Sequence, residues 1–357
     1  HNSGRKATDQ HSGKAFAQSL DEANWATKVA MAYMAVKPVL SNEEVKAIEE
    51  GYLQPAATLL LHRPAGANWQ MWHNSGLAAL GIALENDSIV NVAINKDKYG
   101  YHYLIEKHKN NDGWINEGSP HYHYYPLEAL LFTANAVKCR GIKLFDKDLH
   151  DMFVEPVKGT YPDLSFPAHS DGWYGANLLS QSALYEVANA RYNDPFLKRV
   201  LELTYAQKKR LDSEALLSNQ LIKASAESLL QQSYSFDTSG FCLLRSDART
   251  VVLKFGGEGI GHGHPDKLSI TIHDGKNELV SDFGTSGYGV PDYLKWYKRT
   301  LSHNTVTVDA KDQKRSVGKL LKFNPRSDGG YAEAETTTAY PGVRMKRSLD
   351  LKGTHLQ

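Results

Sequence analysis

The stretch from Tyr234 to Gly257, "YSFDTSGFCLLRSDARTVVLKFGG", decides the fold. Apolar and polar residues alternate over short runs, β-branched residues crowd into "TVVLKF", and Asp, Ser and Gly stand at the breaks. That is the pattern of antiparallel strands joined by tight turns. Downstream, "KLSITIHD", "NELVSDFG" and "HNTVTVDA" continue it. Upstream, from about residue 14 to 230, apolar residues recur at helical spacing instead. "AFAQSLDEANWATKVAMAYMAV", "SGLAALGIALEN", "PLEALLFTANAVKC", "ANLLSQSALYEVANARY" and "SEALLSNQLIKASAESLLQQ" each predict a helix. The period therefore changes near residue 233. The reading is an α+β chain of two domains, a helical one over 1–232 and an antiparallel sheet domain over 233–357. Sheets of this kind pack as a β-sandwich, and successive helix pairs suit an incomplete α/α toroid, although no repeat of fixed period is visible. The final "RSLDLKGTHLQ" keeps the strand alternation without a polar tail, so the sheet domain is expected to be incomplete as given.

The totals fit that division. A chain of 357 residues exceeds the roughly 250 to 300 at which a single core stops growing. Hydrophobic residues at 41% and charged residues at 23% are ordinary globular composition, neither disordered nor fibrous. Lys+Arg 41 against Asp+Glu 40 leaves a net charge of +1, which gives no sign of nucleic acid or of an anionic membrane as partner. No apolar run reaches the roughly 18 residues of a membrane span. The opening His1-Asn2-Ser3-Gly4 shows neither methionine nor a signal peptide, and a processed or trimmed product is expected. Two cysteines, Cys139 and Cys242, make no disulfide framework and lack metal spacing.

Three stretches carry chemistry. In "GHGHPDKLSITIHDGKNELVSDFG", residues 261–284, His262 and His264 stand two apart and would project together from extended chain. Asp282 ends the next strand, and His303 begins "HNTVTVD". Imidazole and carboxylate are ligands that borderline metals accept, and a His2Asp set completed by water or another residue suits tetrahedral zinc. The plainer reading is surface histidines near turns. The "DFG" here lacks the glycine-rich loop, strand lysine and HRD segment of a kinase. In "DGWINEGSPHYHYYPLEALLFTANAV", residues 112–137, a glycine-rich loop leads into an apolar helix whose first turns carry His121, Tyr122, His123, Tyr124 and Tyr125. Pro126 suits a helix start. Tyr122 and Tyr125 would share a helical face, and a phenol becomes a base only where cations or donors stabilise its phenolate. An aromatic packing layer is the plainer reading. In "GANWQMWHNSGLAALGIALEND", Asn68, Trp69, Trp72, His73 and Asn74 likewise lead into a helix. The tryptophans offer flat walls for sugar rings and Asn68 a donor for a carboxylate, or else they are core and a helix cap.

Taken in order, "NWQMWHN", "DGWINEGSPHYHYY", "GHGHPDKLSI", "DFGTSGYG" and "SHNTVTVD" resemble the heparinase II/III-like polysaccharide lyases, which include alginate and oligoalginate lyases. The likeness runs over roughly residues 65 to 310, and the ordered set is more specific than any one motif. It implies an N-terminal α/α toroid carrying a C-terminal β-sandwich. It also implies cleavage of a uronate-containing polysaccharide, alginate first, by β-elimination. Carried over by position, Asn68 resembles the group that neutralises the uronate carboxylate, with His73 a second candidate on the same segment. Tyr122 resembles the tyrosine acid, which also serves as base in the family, and one turn of slip would exchange it with Tyr125. His262 resembles the histidine that assists from the sandwich side. His264, Asp282 and His303 resemble the ligands of one structural zinc ion. Trp69, Trp72, Tyr125, Tyr288, Tyr297 and Arg299 resemble residues that contact the sugar.

Other classes make different demands. A glycosaminoglycan lyase would need more Lys and Arg to meet sulfates, so the near-neutral balance favours alginate. A glycoside hydrolase on the same toroid would need two carboxylates about 5 to 9.5 Å apart, for which Glu117, Asp112 and Asp171 lie in suitable loops, and it would leave the tyrosines and the histidine pair idle. A non-catalytic carbohydrate-binding protein would use the aromatic loops and make no product. A polymeric substrate implies a secreted or periplasmic protein.

Overall fold

The computed structural model describes residues 13–218, 220–226, 229, 232–257 and 261–357. Eleven α-helices precede the strands among these residues: α1 Ser19–Val36, α2 Asn42–Ile48, α3 Gln54–Leu61, α4 Ala67–Ala83, α5 Asp87–Asn95, α6 Tyr101–His108, α7 His121–Val137, α8 Lys147–Val154, α9 Ser182–Tyr192, α10 Pro195–Gln207 and α11 Ser213–Ser218. The strands follow: β1 Tyr234–Phe236, β2 Phe241–Arg245, β3 Thr250–Lys254, β4 Ser269–His273, β5 Glu278–Val280, β6 Lys319–Arg326, β7 Gly329–Tyr340, β8 Val343–Lys352 and β9 His355–Leu356. None of the described helices is long and apolar enough to cross a membrane.

Two compact units divide the chain, one comprising His1–Lys109 with Tyr125–Leu149 and the other Asn110–Tyr124 with His150–Gln357. The line between units is thus not the line between periods, since α9, α10 and α11 group with the strands. In the first unit, α4 is flanked by α1, α3 and α5. Ala23, Ala26 and Ala30 of α1 are fully buried, and their small side chains let the helices approach closely. A Cβ on Gly76 would stand 2.8 Å from Leu60 Cδ1 and 3.2 Å from the Ala23 carbonyl, so the glycine allows a tighter approach than a larger residue would without a shift of its neighbours. As a result α4 is buried from Gln70 through Ala83 without an open face.

In the second unit the strands form two antiparallel sheets, ordered β1-β2-β3-β4-β5 and β6-β7-β8-β9. Register runs Phe241 opposite Lys254 in the first and Glu333 opposite Ser348 in the second. Cys242, Leu244, Val251, Leu253 and Phe255 of one sheet share a core with Ala332, Ala334, Met345, Leu349 and Leu351 of the other. This is the expected sandwich, with the expected helices before it and no closed barrel among the described residues.

Two expectations fail locally. The helical spacing over 213–232 yields a helix only to Ser218, and residues 220–226 are irregular, while 219, 227, 228, 230 and 231 lie outside the described residues. Tertiary bonds replace the helical ones there: Arg210 Nη1 donates to the Gln220 carbonyl at 2.8 Å and Ser225 N to the Glu202 carbonyl at 3.1 Å. "HNTVTVDA" is not a ladder strand either. Asp309 and Ala310 turn through left-handed backbone, and the segment is tied down by side chains, Asn304 Nδ2 to the Ser281 carbonyl and Thr305 Oγ1 to the Lys267 carbonyl.

Candidate active site

The start of α7 follows from its local sequence. Pro120 cannot donate, but its carbonyl accepts the amides of His123 and Tyr124, each at 3.1 Å, and Ser119 Oγ accepts the Tyr122 amide at 3.3 Å. Within this turn the side chains part. His123 goes inward, where Nε2 meets the Met152 carbonyl at 2.9 Å and Nδ1 accepts the Ile115 amide at 3.1 Å. Burial pushes its pKa down to about 4, so it is a neutral packing residue. Tyr124 is also buried, hydroxyl to hydroxyl with Tyr185 at 3.0 Å. Tyr122 goes the other way and lies flat on His262, the ring centres 3.6 Å apart and the planes 14° from parallel.

Asp171 organises the rest. It is fully buried, and its carboxylate accepts His262 Nδ1 at 2.9 Å, His264 Nε2 at 2.9 Å, the Tyr293 hydroxyl at 2.8 Å and the Tyr288 hydroxyl at 3.0 Å. Lys298 Nζ stands 3.6 Å away. Burial by itself would raise the Asp171 pKa, but the hydrogen bonds from His262, His264 and Tyr293 outweigh it and hold the carboxyl well below the usual range. Its amide also donates to the His262 carbonyl at 3.1 Å. Ser170, just before it, takes left-handed backbone at φ 57° and accepts Lys254 Nζ on Oγ at 2.7 Å. A non-glycine residue held there is the kind of local cost that surroundings impose at functional sites.

The Tyr122 hydroxyl closes the network at 2.6 Å from the Tyr288 hydroxyl. With Tyr288 donating to Asp171, Tyr122 donates to Tyr288. Burial raises the Tyr122 pKa, the Tyr288 hydrogen bond opposes that rise, and the charges of Asp171 and Glu117 add to it, so the phenol keeps its proton at neutral pH. The other nitrogen of His262, Nε2, stands 3.5 Å from Glu117 Oε2. The ring therefore has a carboxylate on each side.

Behind this cluster, Asp266, Asp282 and His303 bring one ligand atom each within 4.8 Å of one another, all buried. His303 Nδ1 is 2.9 Å from Asp282 Oδ2, and its Nε2 has no hydrogen-bond partner. His264 Nδ1 has none either, and the two rings are 5.2 Å apart. Two buried imidazole nitrogens without partners, next to carboxylates, are donors suited to a borderline metal. Lys254 Nζ is bound to Asp266, and Lys267 Nζ lies 3.3 Å from it, so that carboxylate already has cations beside it.

Residues 229–357 match the family model described as heparinase II/III-like, C-terminal, and residues 10–154 match the one described as alginate lyase. Over these two stretches the chain is similar to heparinase II/III-like proteins and to alginate lyases. It is similar to an alginate lyase of Stenotrophomonas maltophilia (strain K279a), 28% identical over 386 aligned residues, which cover 95% of this chain and 51% of that protein. It is also similar to an exo-oligoalginate lyase of Saccharophagus degradans (strain 2-40), 26% identical, with 96% and 52% covered. The crystal structure of heparinase III superposes with a TM-score of 0.75 at 17% identity, covering 98% of this chain and 55% of that one, and so shares the fold of α/α toroid and β-sandwich. The chain spans about half the length of the curated relatives it matches.

Of the residues singled out in the sequence, the fold brings Tyr122, His262 and Tyr288 into direct contact, and places His264 beside them through Asp171. Asp282 and His303 stand together in the candidate metal group, where Asp266 takes the third place and His264 borders it. Tyr297 is half-buried, and Arg299 goes elsewhere. Arg299 is exposed and pairs with Asp312, while Tyr293 and Lys298 of the same segment reach Asp171 instead. In the first unit, Trp72 was expected to face a sugar and does not: it is fully buried against Tyr125 and Phe132, ring centres 5.3 and 6.2 Å away, because every side of α4 is covered. His73 is fully buried too, Nε2 3.1 Å from Ser19 Oγ. Asn68 is buried near the start of α4, and Trp69 and Tyr125 are half-buried.

Asp171 is expected from the sequence only as a hydrolase carboxylate, and Asp266 and Tyr293 are not among the expected site residues. Asp266 had a signal, standing two residues after His264 in "HGHPDK". Asp171 had only its place in the loop "AHSDGWYG".

Proposed function

We propose that the chain is a polysaccharide lyase that breaks a uronate polymer, alginate before others, by β-elimination. The observation that carries the reading is the stack of Tyr122 on His262, with the phenol held protonated and the imidazole oriented by one buried carboxylate. The reaction needs a base for the C5 proton of the uronate and an acid for the departing O4. Ionised Asp171 accepts a hydrogen bond from the Nδ1–H of His262, which keeps that proton on Nδ1 and leaves the Nε2 lone pair as the base. The charge the ring gains on accepting a proton is met by Asp171 on one side and Glu117 on the other. Tyr122, holding its proton, is the acid. Each positioned acid or base contributes roughly 10²- to 10⁴-fold.

Asp171 argues against a hydrolase. A carboxyl that accepts four hydrogen bonds in a buried setting stays ionised and has no proton to give a leaving group, and its lone pairs are engaged. The Asp282 and His303 pair, with His264 at its border, fits one zinc ion. Bound there, zinc would tie loop segments together and supply no nucleophile, since elimination uses none. The size of a polymeric substrate supports action outside the cytoplasm, by a secreted or periplasmic protein.

Incubation with alginate, heparan sulfate and a neutral glycan tests the reading through the ultraviolet absorbance of the unsaturated uronate. The expected result is a rise with alginate. New reducing ends without that absorbance would overturn it.

A further inference from the structure

We infer that Trp173 is a stacking platform for a uronate ring beyond the two that flank the broken bond. The inference rests on the lyase reading above and adds a binding subsite to it. Trp173 leaves 42% of its surface exposed. A lone exposed aromatic means little by itself. What sets this one apart is how firmly it is held and what it touches. Its carbonyl accepts the Ala176 amide at 3.1 Å, and the preceding Gly172 donates to the His169 carbonyl at 2.9 Å and accepts the Thr285 amide at 3.1 Å. A Cβ on Gly287 would stand 2.9 Å from Trp173 Cη2, so this glycine lays bare backbone against the indole. Gly284 packs against the residue before Trp173: its φ is +60°, and a Cβ there would fall 1.9 Å from the Gly172 carbonyl. Backbone thus lies against the indole at Gly287, while 42% of the residue's surface stays exposed.

Its neighbours give the direction. The indole meets the His121 ring edge-on, centres 6.2 Å apart at 86°, and His121 meets Tyr122 edge-on at 5.0 Å and 88°. Three rings therefore stand in a row that ends on the proposed acid. Burial, with the nearby His262 adding to it, lowers the pKa of His121, so at neutral pH the row carries no charge between platform and acid. A flat, apolar, uncharged surface leading away from the reacting bond suits the C–H face of a pyranose, whose carboxylate and hydroxyls stay at the rim in water. Because the loop that carries the indole is tied by backbone hydrogen bonds, binding costs little further ordering of that loop.

Titration calorimetry on the full chain tests this. In a Tyr122→Phe background, alginate disaccharide and tetrasaccharide are titrated, with cellotetraose as the neutral probe. Trp173→Ala should weaken the tetrasaccharide about tenfold and leave the disaccharide within about twofold. Trp173→Phe should recover most of the loss, which a merely misfolded loop would not allow. With Tyr122 intact, Trp173→Ala should raise KM for long alginate about tenfold with kcat within about twofold. An unchanged tetrasaccharide affinity, an equal loss at both lengths, or cellotetraose binding as tightly as alginate would overturn the platform. If no unsaturated uronate is formed while the length-dependent loss persists, the lyase reading falls and the platform stands. If product is formed without that loss, the platform falls alone.

Discussion

Helix α4 opens with Asn68, Trp69, Trp72 and His73, and helix α7 opens with His121 through Tyr125, so both begin with aromatic and imidazole side chains ahead of an apolar run. In α4 the packing of α1, α3 and α5 buries Asn68, Trp72 and His73, and Trp72 and His73 become core, while Trp69 stays half-buried. In α7 the same turn divides them: His123 and Tyr124 go to the core, while Tyr122 is laid on His262. Residue type does not separate the two cases. What separates them is how many neighbours a helix start has, and whether a buried carboxylate such as Asp171 waits for the donors that face it.

That contrast can be broken by substitution. Tyr122→Phe removes the acid and should cut turnover by about 10³- to 10⁴-fold with circular dichroism unchanged, whereas Tyr125→Phe should stay within about threefold. Equal losses in the two variants would erase the distinction within α7. Trp72→Ala should cost about 3 to 5 kcal/mol in urea unfolding, with kcat of the folded fraction preserved. A selective loss of kcat there would move α4 from packing to chemistry. Asp171→Asn should lower kcat by about 10²- to 10³-fold and KM little, because an amide no longer dictates which His262 nitrogen carries the proton. Nitrogen-15 shifts of the His262 ring would show the altered tautomer directly.

Acid sharpens the comparison from the side of the inward histidines. The His123 pKa falls from 6.5 to about 4 on folding, so the unfolded chain binds more protons between those values. Its contribution is present above pH 6.5 and is lost as pH falls towards 4, up to about 3 kcal/mol. His123→Gln should flatten the dependence of unfolding free energy on pH over that window, and an unchanged slope would remove His123 from the account. The smallest effect concerns metal. Chelation should lower the melting temperature by a few degrees and added zinc should restore it, a response that Asp282→Asn would abolish. Melting indifferent to chelator would leave the Asp282 and His303 pair as an ordinary hydrogen bond.

What the sequence shows and what it hides follow from range. The change of period at Tyr234 is legible because alternation is a property of neighbouring residues. Tyr122 and His262 stood out because their loops are dense in rare side chains. Asp171 did not, because its role depends on partners from 91 to 122 positions away, joined by loops without period. The overextended helix at 213–232 has the same cause, since the bonds that stop it come from Arg210, through its side chain, and from Glu202. The burial of Trp72 depends on three other helices, and no pattern within "NWQMWHN" reports them.

Asp171 grips residue 262 twice, its amide on the carbonyl and its carboxylate on the ring. Two anchor points define a hinge-free joint, so thermal drift of either loop carries the other along and leaves their separation intact. Alignment of the imidazole is in this sense self-correcting: the loops are free to wander as a pair without the base losing its aim.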